Sequence, residues 1–176
     1  MRPTPDLEAQ FRTWLEEHGG ILVKVTRSYA RSPADEEDLR QELMLQVWTS
    51  MRAYAGQAKP STWIYRVCLN TALTWNRGAA RRERRIEPVA EIGSFAASAT
   101  SPADSAAQKD LLDRLYAAIQ AMPEFDRALV LLLLDGLAYR EISEVTGLTE
   151  NHVGVALTRA RRRLAELMKG TIDELE

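Results

Sequence analysis

The chain of 176 residues contains few cysteines and histidines: one cysteine, Cys68, and two histidines, His18 and His152. A single cysteine excludes an internal disulfide and a zinc site built on cysteines. The two histidines lie too far apart in the sequence to suggest a metal cluster. No apolar run approaches the roughly 18 residues of a membrane span, and no basic-then-apolar leader opens the chain. We therefore expect a cytoplasmic protein with no metal, no cofactor and no direct membrane insertion.

Patterns typical of enzymes are also missing from the sequence. It has no phosphate-binding loop, no spacing of metal ligands, and no pairing of a nucleophile with a base. We expect neither an enzyme nor a protein with a small-molecule substrate.

Charge is unevenly distributed, although the formal net charge is only −2. Residues 61–85 carry a net charge of +5, and a second basic run comprises Arg159, Arg161, Arg162 and Arg163. Two concentrated basic segments in an acidic protein favour a polyanionic partner such as a nucleic acid. The alternative is that each run is simply the solvated face of a helix.

Strand-like alternation of apolar and polar residues is absent, and the periodicity predicts an all-α protein. Residues 86–107 are rich in Ala, Ser, Thr and Pro, with little apolar surface to bury, so they are interpreted as a flexible linker. The linker divides the chain into two small helical domains, residues 1–85 and residues 108–176.

In the first domain, the pattern predicts helices over 6–18 and 20–31, followed by a helix with Ser32 as its N-cap and Pro33 in its first turn. This helix buries an apolar stripe formed by Leu39, Leu43, Val47 and Met51. After a loop at 54–60, Ser61 is expected to cap a helix that reaches residue 78 and buries Ile64, Val67, Cys68, Thr71 and Trp75. Its other faces show Trp63, Tyr65, Arg66, Asn70 and Arg77.

The second domain is predicted to contain helices over 108–121 and 124–135, followed by a helix-turn-helix. Residues 138–146 form its first helix, Gly147 makes the tight turn, and Thr149 caps the second helix. In this motif the second helix enters the major groove of DNA. Helix pairs with a glycine turn also occur in proteins that never contact DNA, so the motif alone leaves both possibilities open.

Three motifs together resemble a known family, the extracytoplasmic-function branch of the sigma-70 superfamily. They are DEEDLRQE at 35–42 followed by Trp48, STWIYRV at 61–67 followed by NTA at 70–72, and DGLAYREI at 135–142 followed by Gly147-Leu148 and Arg159-Ala160-Arg161. In that order they resemble the polymerase-binding helix, the promoter-melting helix and the C-terminal helix-turn-helix (sigma domains 2 and 4). Their order and spacing match those of the family.

The resemblance implies a sigma factor, a subunit that directs RNA polymerase to promoters and is held inactive by an anti-sigma factor. Its partners would be promoter DNA and core RNA polymerase, through the clamp coiled coil of the largest subunit and the flap of the beta subunit. The residues implied to bind core polymerase are Asp35, Asp38, Gln41, Glu42, Leu45 and Trp48. Acids near a helix N-terminus also stabilise its dipole, by about 0.3–1 kcal/mol each, but Gln41 and Glu42 lie beyond the first turn.

The resemblance also implies that the loop 54–62 and the following helix hold the melted minus-ten element. Stacking and contacts to base edges stabilise an unpaired base by about 1–3 kcal/mol. The residues implied here are Lys59, Ser61, Trp63, Tyr65, Arg66, Asn70, Arg77, Arg81 and Arg82, with Arg84 and Arg85 along the phosphates. For Trp63 a place in the core is the main alternative.

On the recognition helix, Val155 lies about 200° round from the buried stripe, on the outward side. We expect base contacts from Asn151, His152, Val155 and Thr158, and from Glu150 to a cytosine, because these side chains fit base edges or a thymine methyl. Phosphate contacts are assigned to Arg159, Arg161 and Arg162, and Arg140 and Thr149 complete the set for the minus-thirty-five element.

The sequence departs from many relatives at Gly154, Val155 and Ala156, at Leu132, and in the loop at Ala58-Lys59-Pro60. The base preferences of relatives therefore cannot be transferred to this chain.

Two other functions are alternatives to a sigma factor. A helix-turn-helix regulator acting without polymerase would leave the motif at 35–42 unused. A sigma mimic that titrates an anti-sigma factor would require a receiver domain, for which the chain has no room.

Overall fold

The computed structural model describes residues 5–83 and 104–172, and all regular structure in these two ranges is helical. The elements are α1 (Pro5–Tyr29), α2 (Pro33–Ser50), a 3-10 turn (Met51–Ala53), α3 (Pro60–Glu83), α4 (Asp104–Ala121), α5 (Glu124–Leu134), α6 (Tyr139–Thr146) and α7 (Glu150–Ile172). The expected all-α fold is confirmed. None of the helices described here is long and apolar enough to cross a membrane.

Helix α2 begins and packs as its sequence predicts. The Ser32 hydroxyl accepts a hydrogen bond from the backbone N–H of Asp35 at 3.2 Å, and Pro33 occupies the first turn. A proline is tolerated there because the first N–H groups of a helix have no partner within the helix. The predicted stripe of Leu39, Leu43, Val47 and Met51 is buried, and α2 packs through it against α1 and α3.

Helix α1 is continuous from Pro5 to Tyr29, so the predicted break near residue 19 is wrong. Gly19 and Gly20 lie within the helix, and neither has a positive φ. A glycine in a helix costs about 1 kcal/mol relative to alanine. Burial on both sides of the pair offsets this cost, through Trp14 before it and through Ile21, Leu22, Val25 and Tyr29 after it.

Helix α3 begins at Pro60, one residue before the predicted cap, and it buries more than one stripe. Ile64 and Cys68 are buried as predicted, whereas Val67, Thr71 and Trp75 are only partly buried. Tyr65, Leu69 and Ala72 are also buried. The reason is that α3 packs against α1 and α2 on one side and against α5 and α6 of the second domain on another.

In the second domain, α4 begins at Asp104, so the last residues of the predicted linker are helical. The predicted helix-turn-helix is formed by α6 and α7. Gly147 ends α6 with φ of 75°, a left-handed conformation that a residue with a side chain rarely adopts. The Ser143 hydroxyl donates to the carbonyl of Leu148 across the turn.

The two domains pack directly against each other. Helix α1 contacts α4 and α5, and α3 contacts α5 and α6. Their buried apolar residues form one cluster that continues from the first domain into the second. The proposed flexible linker remains a prediction, because residues 84–103, including Arg84 and Arg85, lie outside the described ranges.

Candidate functional site

One face of α2 is open to solvent and carries residues of the first motif. Asp38 and Gln41 are exposed, and Leu45 is 51% exposed. Asp35 lies in the first turn, where its negative carboxylate interacts favourably with the positive end of the helix dipole. Asp38 and Gln41 lie beyond it, so stabilisation of the helix N-terminus does not account for them.

Trp48 contributes to packing as well as to this face. Its ring meets Phe11 of α1 edge-on, with 5.0 Å between ring centroids, and it is partly buried against the core. The exposed part of the predicted polymerase face is therefore Asp38, Gln41 and Leu45, with Trp48 at its edge.

A groove between α2 and α3 brings two of the predicted sets together. It is lined by Glu42, Gln46, Asn70, Thr71, Thr74 and Trp75. Glu42 accepts a hydrogen bond from Gln46 at 2.8 Å on one wall. Asn70 is exposed on the other wall, so a buried hydrogen bond does not explain this poor helix former in mid-helix. Its amide is free to meet a ligand in the groove.

Trp63 belongs to an aromatic cluster in the first domain. Its ring centroid lies 5.5 Å from those of Trp14 and Tyr54, and the rings of Trp14 and Tyr54 are 4.9 Å apart. The Tyr54 hydroxyl donates to the carbonyl of Ala58 at 2.6 Å and fixes the loop. The structure favours the packing role for Trp63, which is only partly exposed.

Tyr65 requires a correction, because it is not available to DNA in this arrangement. It is 1% exposed, and its hydroxyl donates to the carboxylate of Asp135 in the second domain. Burial, followed by this hydrogen bond, raises the pKa of Tyr65. The expected exposure of Tyr65 is wrong, because α3 packs on the second domain through the face that its periodicity left polar.

Lys59 is engaged by the second domain as well. Its ammonium group lies 2.7 Å from the Glu141 carboxylate. Glu141 also accepts from the backbone N–H of Ala138 at 2.9 Å. The hydrogen bonds from Lys59 and from Ala138 lower the pKa of Glu141. Of the other residues assigned to the minus-ten element, Arg66 and Arg77 are exposed, Ser61 is partly buried, and Arg81 and Arg82 lie in the last turns of α3.

Helix α7 presents the predicted outward face. Val153, Leu157 and Ala160 are fully buried, whereas Val155 is 72% exposed. The other assigned residues of α7 are also exposed, namely Glu150, Asn151, His152, Thr158, Arg159, Arg161 and Arg162. Thr149, just before the helix, accepts a 3.4 Å hydrogen bond from the backbone N–H of His152.

The departures at 154–156 have different structural settings. A Cβ at Gly154 would lie 3.5 Å from the ring of Tyr139, an ordinary van der Waals contact, so the packing of α6 on α7 does not require glycine there. Ala156 is 8% exposed and faces inward, whereas Val155 faces solvent. Of the three, Val155 is the one able to reach a base.

Asp126, which the sequence did not single out, connects α5 to α7. It is 2% exposed, and its carboxylate accepts from Arg159 at 3.2 Å and from Arg163. Arg159 keeps most of its side chain in solvent while held in this way. On the same surface, Arg140 pairs with Glu144 and Arg162 with Glu166, each one turn along its helix.

Contacts between the domains were also missed. They involve Lys24, Asn76, Gln120, Glu124, Arg127 and Asp135. Arg127 was the only one with a signal in the sequence, because it interrupts an apolar stretch at a position where the helix is buried. The others are polar residues whose partners lie in the other domain.

Two family models match the chain. The model for Sigma-70 region 2 matches residues 14–83, and the model for Sigma-70, region 4, matches residues 112–164. The matched ranges contain the groove and the α2 face in one case, and the helix-turn-helix in the other.

Curated relatives carry sigma-factor names. The ECF RNA polymerase sigma factor SigG of Mycobacterium tuberculosis is 29% identical over 98% of this chain, but the match covers 52% of SigG. The chain thus spans about half the length of that relative. The ECF RNA polymerase sigma-E factor of Haemophilus influenzae is 26% identical over 80% of this chain and 77% of its own length.

Two solved structures share the fold. CnrH, solved with the cytosolic domain of CnrY, has a TM-score of 0.64 at 20% identity, over 93% of this chain and 90% of the other. The sigma factor RpoE of Bartonella quintana, solved with the anti-sigma factor NepR, has a TM-score of 0.65 at 19% identity, over 94% of this chain and 98% of the other.

Proposed function

This chain belongs to the sigma-70 family, in its extracytoplasmic-function branch, and from that premise we propose that it directs core RNA polymerase to specific promoters. The observation that carries the proposal is the presence of both regions in one chain, each with an open surface of suitable chemistry. Region 2 offers the exposed Asp38–Gln41–Leu45 face and the groove at Asn70. Region 4 offers the exposed face of α7.

Each region has a distinct task in this proposal. The α2 face docks on the clamp coiled coil of the largest polymerase subunit, and the second domain also meets the flap of the beta subunit. The groove between α2 and α3 holds unpaired bases of the minus-ten element, with Asn70 on base edges and Arg66 and Arg77 on the backbone. Helix α7 enters the major groove of the minus-thirty-five element, with base contacts near its N-terminus and arginines on phosphates.

Control by an anti-sigma factor is part of the proposal. RpoE of Bartonella quintana, which shares this fold, was solved with the anti-sigma factor NepR. Among the described residues, a partly apolar surface is available on α2, where Met44 and Leu45 are exposed beside Gln41. An inhibitor that covered this face would block polymerase binding directly.

Run-off transcription with purified core polymerase tests the proposal. We expect the wild-type protein to start transcripts from promoters found by sequencing the RNA that its overexpression induces. A double variant, Asp38→Lys with Glu42→Lys, should lose core binding and transcripts, because it presents two positive charges where acids are expected to meet the clamp. Its melting temperature should change little, since Asp38 is exposed and Glu42 only partly buried.

The matched control is Glu16→Lys with Glu17→Lys, which makes the same change in net charge at exposed positions on α1. This control should bind core polymerase and support transcription like the wild type. A regulator that acts without polymerase, or a sigma mimic, would start no transcripts with core enzyme, and that result would refute the proposal.

A further inference from the structure

The polar atoms that line the groove between α2 and α3 are mostly hydrogen-bond acceptors. Thr71 and Thr74 both lie on its wall. The Thr71 hydroxyl donates to the carbonyl of Val67 at 2.8 Å, and the Thr74 hydroxyl donates to a carbonyl of its own helix at 3.0 Å. Each hydroxyl has a single hydrogen, so both keep only lone pairs for a molecule in the groove. The Glu42 carboxylate also only accepts, and a ligand that fits these atoms therefore has to supply donors.

Gln46 adds a further acceptor, because Glu42 fixes the orientation of its amide. The Gln46 nitrogen Nε2 donates to Oε1 of Glu42 at 2.8 Å. If the amide turned round, its oxygen would face the carboxylate, and two acceptors repel each other. The nitrogen is thus committed to Glu42. The oxygen Oε1 of Gln46 is the end of the amide that remains for a ligand in the groove.

Asn70, on the opposite wall, is adaptable where Gln46 is fixed. It is exposed, and within the described part of the chain its side-chain amide has no hydrogen-bond partner. The amide can rotate to present either its oxygen or its nitrogen. Asn70 therefore fits ligands of either polarity, and the choice between them falls to Gln46.

The size and charge of the groove favour a base over the backbone of DNA. Its volume is about 350 Å³, within the range of roughly 300–1,000 Å³ for pockets that hold small molecules. The negative charge of Glu42 repels phosphates from it. Arg66 and Arg77 are exposed on α3, one turn before Asn70 and about two turns after it. Phosphates bound at these arginines leave the base between them to turn into the groove.

The four bases differ at the atom that would meet Gln46. Adenine and cytosine carry an amino group, a donor, at the position where guanine and thymine carry a keto oxygen, an acceptor. An unpaired base presents this edge to the protein. We propose that Gln46 selects adenine or cytosine over guanine and thymine at one position of the unpaired minus-ten strand, and that Glu42 is the positioning residue that keeps the Gln46 oxygen turned to the base. This proposal rests on the function proposed above.

The size of the preference follows from one hydrogen bond. An amino base gives the Gln46 oxygen a donor, and its neighbouring ring nitrogen accepts from the Asn70 amide. A keto base instead places two acceptors against each other. We expect the amino bases to bind about tenfold more tightly at this position.

Synthetic promoters with an unpaired minus-ten strand test the proposal. They are made from promoters that the transcripts of the protein identify, and each minus-ten position carries adenine, cytosine, guanine or thymine in turn. Affinities are measured with polymerase reconstituted from saturating core enzyme. In the wild type, one position should favour adenine and cytosine. Replacing adenine there by purine, which has hydrogen in place of the amino group, should remove the advantage.

Gln46→Lys should invert the preference at this position alone. A lysine there pairs with Glu42 one turn earlier, which stabilises the helix, and its remaining donors meet a keto oxygen. Gln46→Met, which is similar in length, should abolish the preference. Glu42→Gln should weaken it, because a glutamine can pair with either end of the Gln46 amide. The matched control is Gln10→Lys, the same change at an exposed position on α1, and it should behave like the wild type.

A base preference that is unchanged in Gln46→Lys and Gln46→Met would overturn the assignment to Gln46, as would its absence at every position in the wild type. A variant that binds all four bases equally less well, with the preference kept, would show a purely structural role and would overturn the assignment too. A wild-type protein that starts no transcripts with core polymerase would instead refute the proposed function, so the two failures are distinguishable.

Discussion

Cys68 lies at the centre of the first domain, on the buried side of α3. It is 0% exposed, and burial raises the pKa of its thiol to about 12. Because the thiolate is the reactive species, a raised pKa keeps this cysteine unreactive at neutral pH. The residue acts as a small apolar side chain, as its place on the predicted apolar stripe suggested.

We predict that a thiol reagent will modify native Cys68 at least about a thousandfold more slowly at pH 8 than it modifies the unfolded chain, where the pKa is about 8.5. Raising the pH from 7 to 9 should leave the native rate low, since burial raises the pKa of the thiol well above this range. The unfolded chain in denaturant is the control, and its rate should rise steeply over the same range. Rapid modification of the native protein would contradict this account of the core.

Val155 and Arg161 are assigned to two different kinds of DNA contact on one helix. Val155 is an exposed apolar side chain near the N-terminal end of α7, suited to a thymine methyl, and Arg161 is an exposed cation nearly two turns later. A base contact should affect preference at one position, by about 1–3 kcal/mol. A phosphate contact should affect binding to all sequences and its dependence on salt.

We predict that Val155→Ser changes the sequence recovered in a binding-site selection but keeps the salt dependence. Arg161→Ala should keep the selected sequence and lower the slope of log affinity against log salt by about 0.9. Titrations at several salt concentrations measure the slope. If the two variants exchange these effects, the wrong side of α7 has been assigned to the groove.

At the scale of elements, Asp126 of α5 holds α7 in place within the second domain. Its buried carboxylate holds Arg159 and Arg163, two residues one turn apart on α7. The Asp126 carboxylate is only 3% exposed, so water screens its attraction for the two arginines less than it screens an exposed ion pair. Asp126 therefore positions α7 from a buried place that is not open to solvent.

We predict that Asp126→Ala lowers the free energy of unfolding by about 1–3 kcal/mol in urea titrations. Glu166→Ala is the matched control, since it removes an acid paired with Arg162 on the same helix but exposed to solvent, and should cost less than about 1 kcal/mol. Equal losses of unfolding free energy in the two variants would mean that burial of Asp126 does not strengthen its contribution to stability.

The elements themselves were largely predictable where the determinants are local. The Ser32 cap, the buried stripe of α2 and the glycine turn before α7 depend on residues within a few positions of one another. The predicted break in α1 at Gly19 and Gly20 failed because propensity is a weak preference that packing overrides. The same local reasoning correctly placed the outward face of α7, including Val155.

The candidate site was predictable only in part, because several of its residues are defined by partners far away in sequence. Tyr65 meets an acid 70 residues later, and Lys24 meets the same acid 111 residues later. No periodicity within α1 or α3 reveals such a partner. Polar residues on these helices were therefore assigned to solvent or to DNA when the second domain engages them.

For the whole molecule, three ion pairs that join the two domains have the same polarity. In the ion pairs Lys24–Asp135, Arg27–Asp113 and Lys59–Glu141, the base belongs to the first domain and the acid to the second. The net charge of −2 thus combines a first domain with an excess of basic residues and a second domain with an excess of acids. The acids of the second domain therefore neutralise basic side chains of the first domain.

All four tryptophans of the chain, Trp14, Trp48, Trp63 and Trp75, lie in the first domain, two of them in its aromatic cluster. Intrinsic fluorescence at the red edge of excitation, where tyrosine does not absorb, therefore observes only one half of the molecule. Far-ultraviolet circular dichroism observes the helices of both halves. A heating curve recorded by both methods separates melting of the first domain from melting of the second without any label. Coincident curves would indicate that the two halves unfold as one cooperative unit.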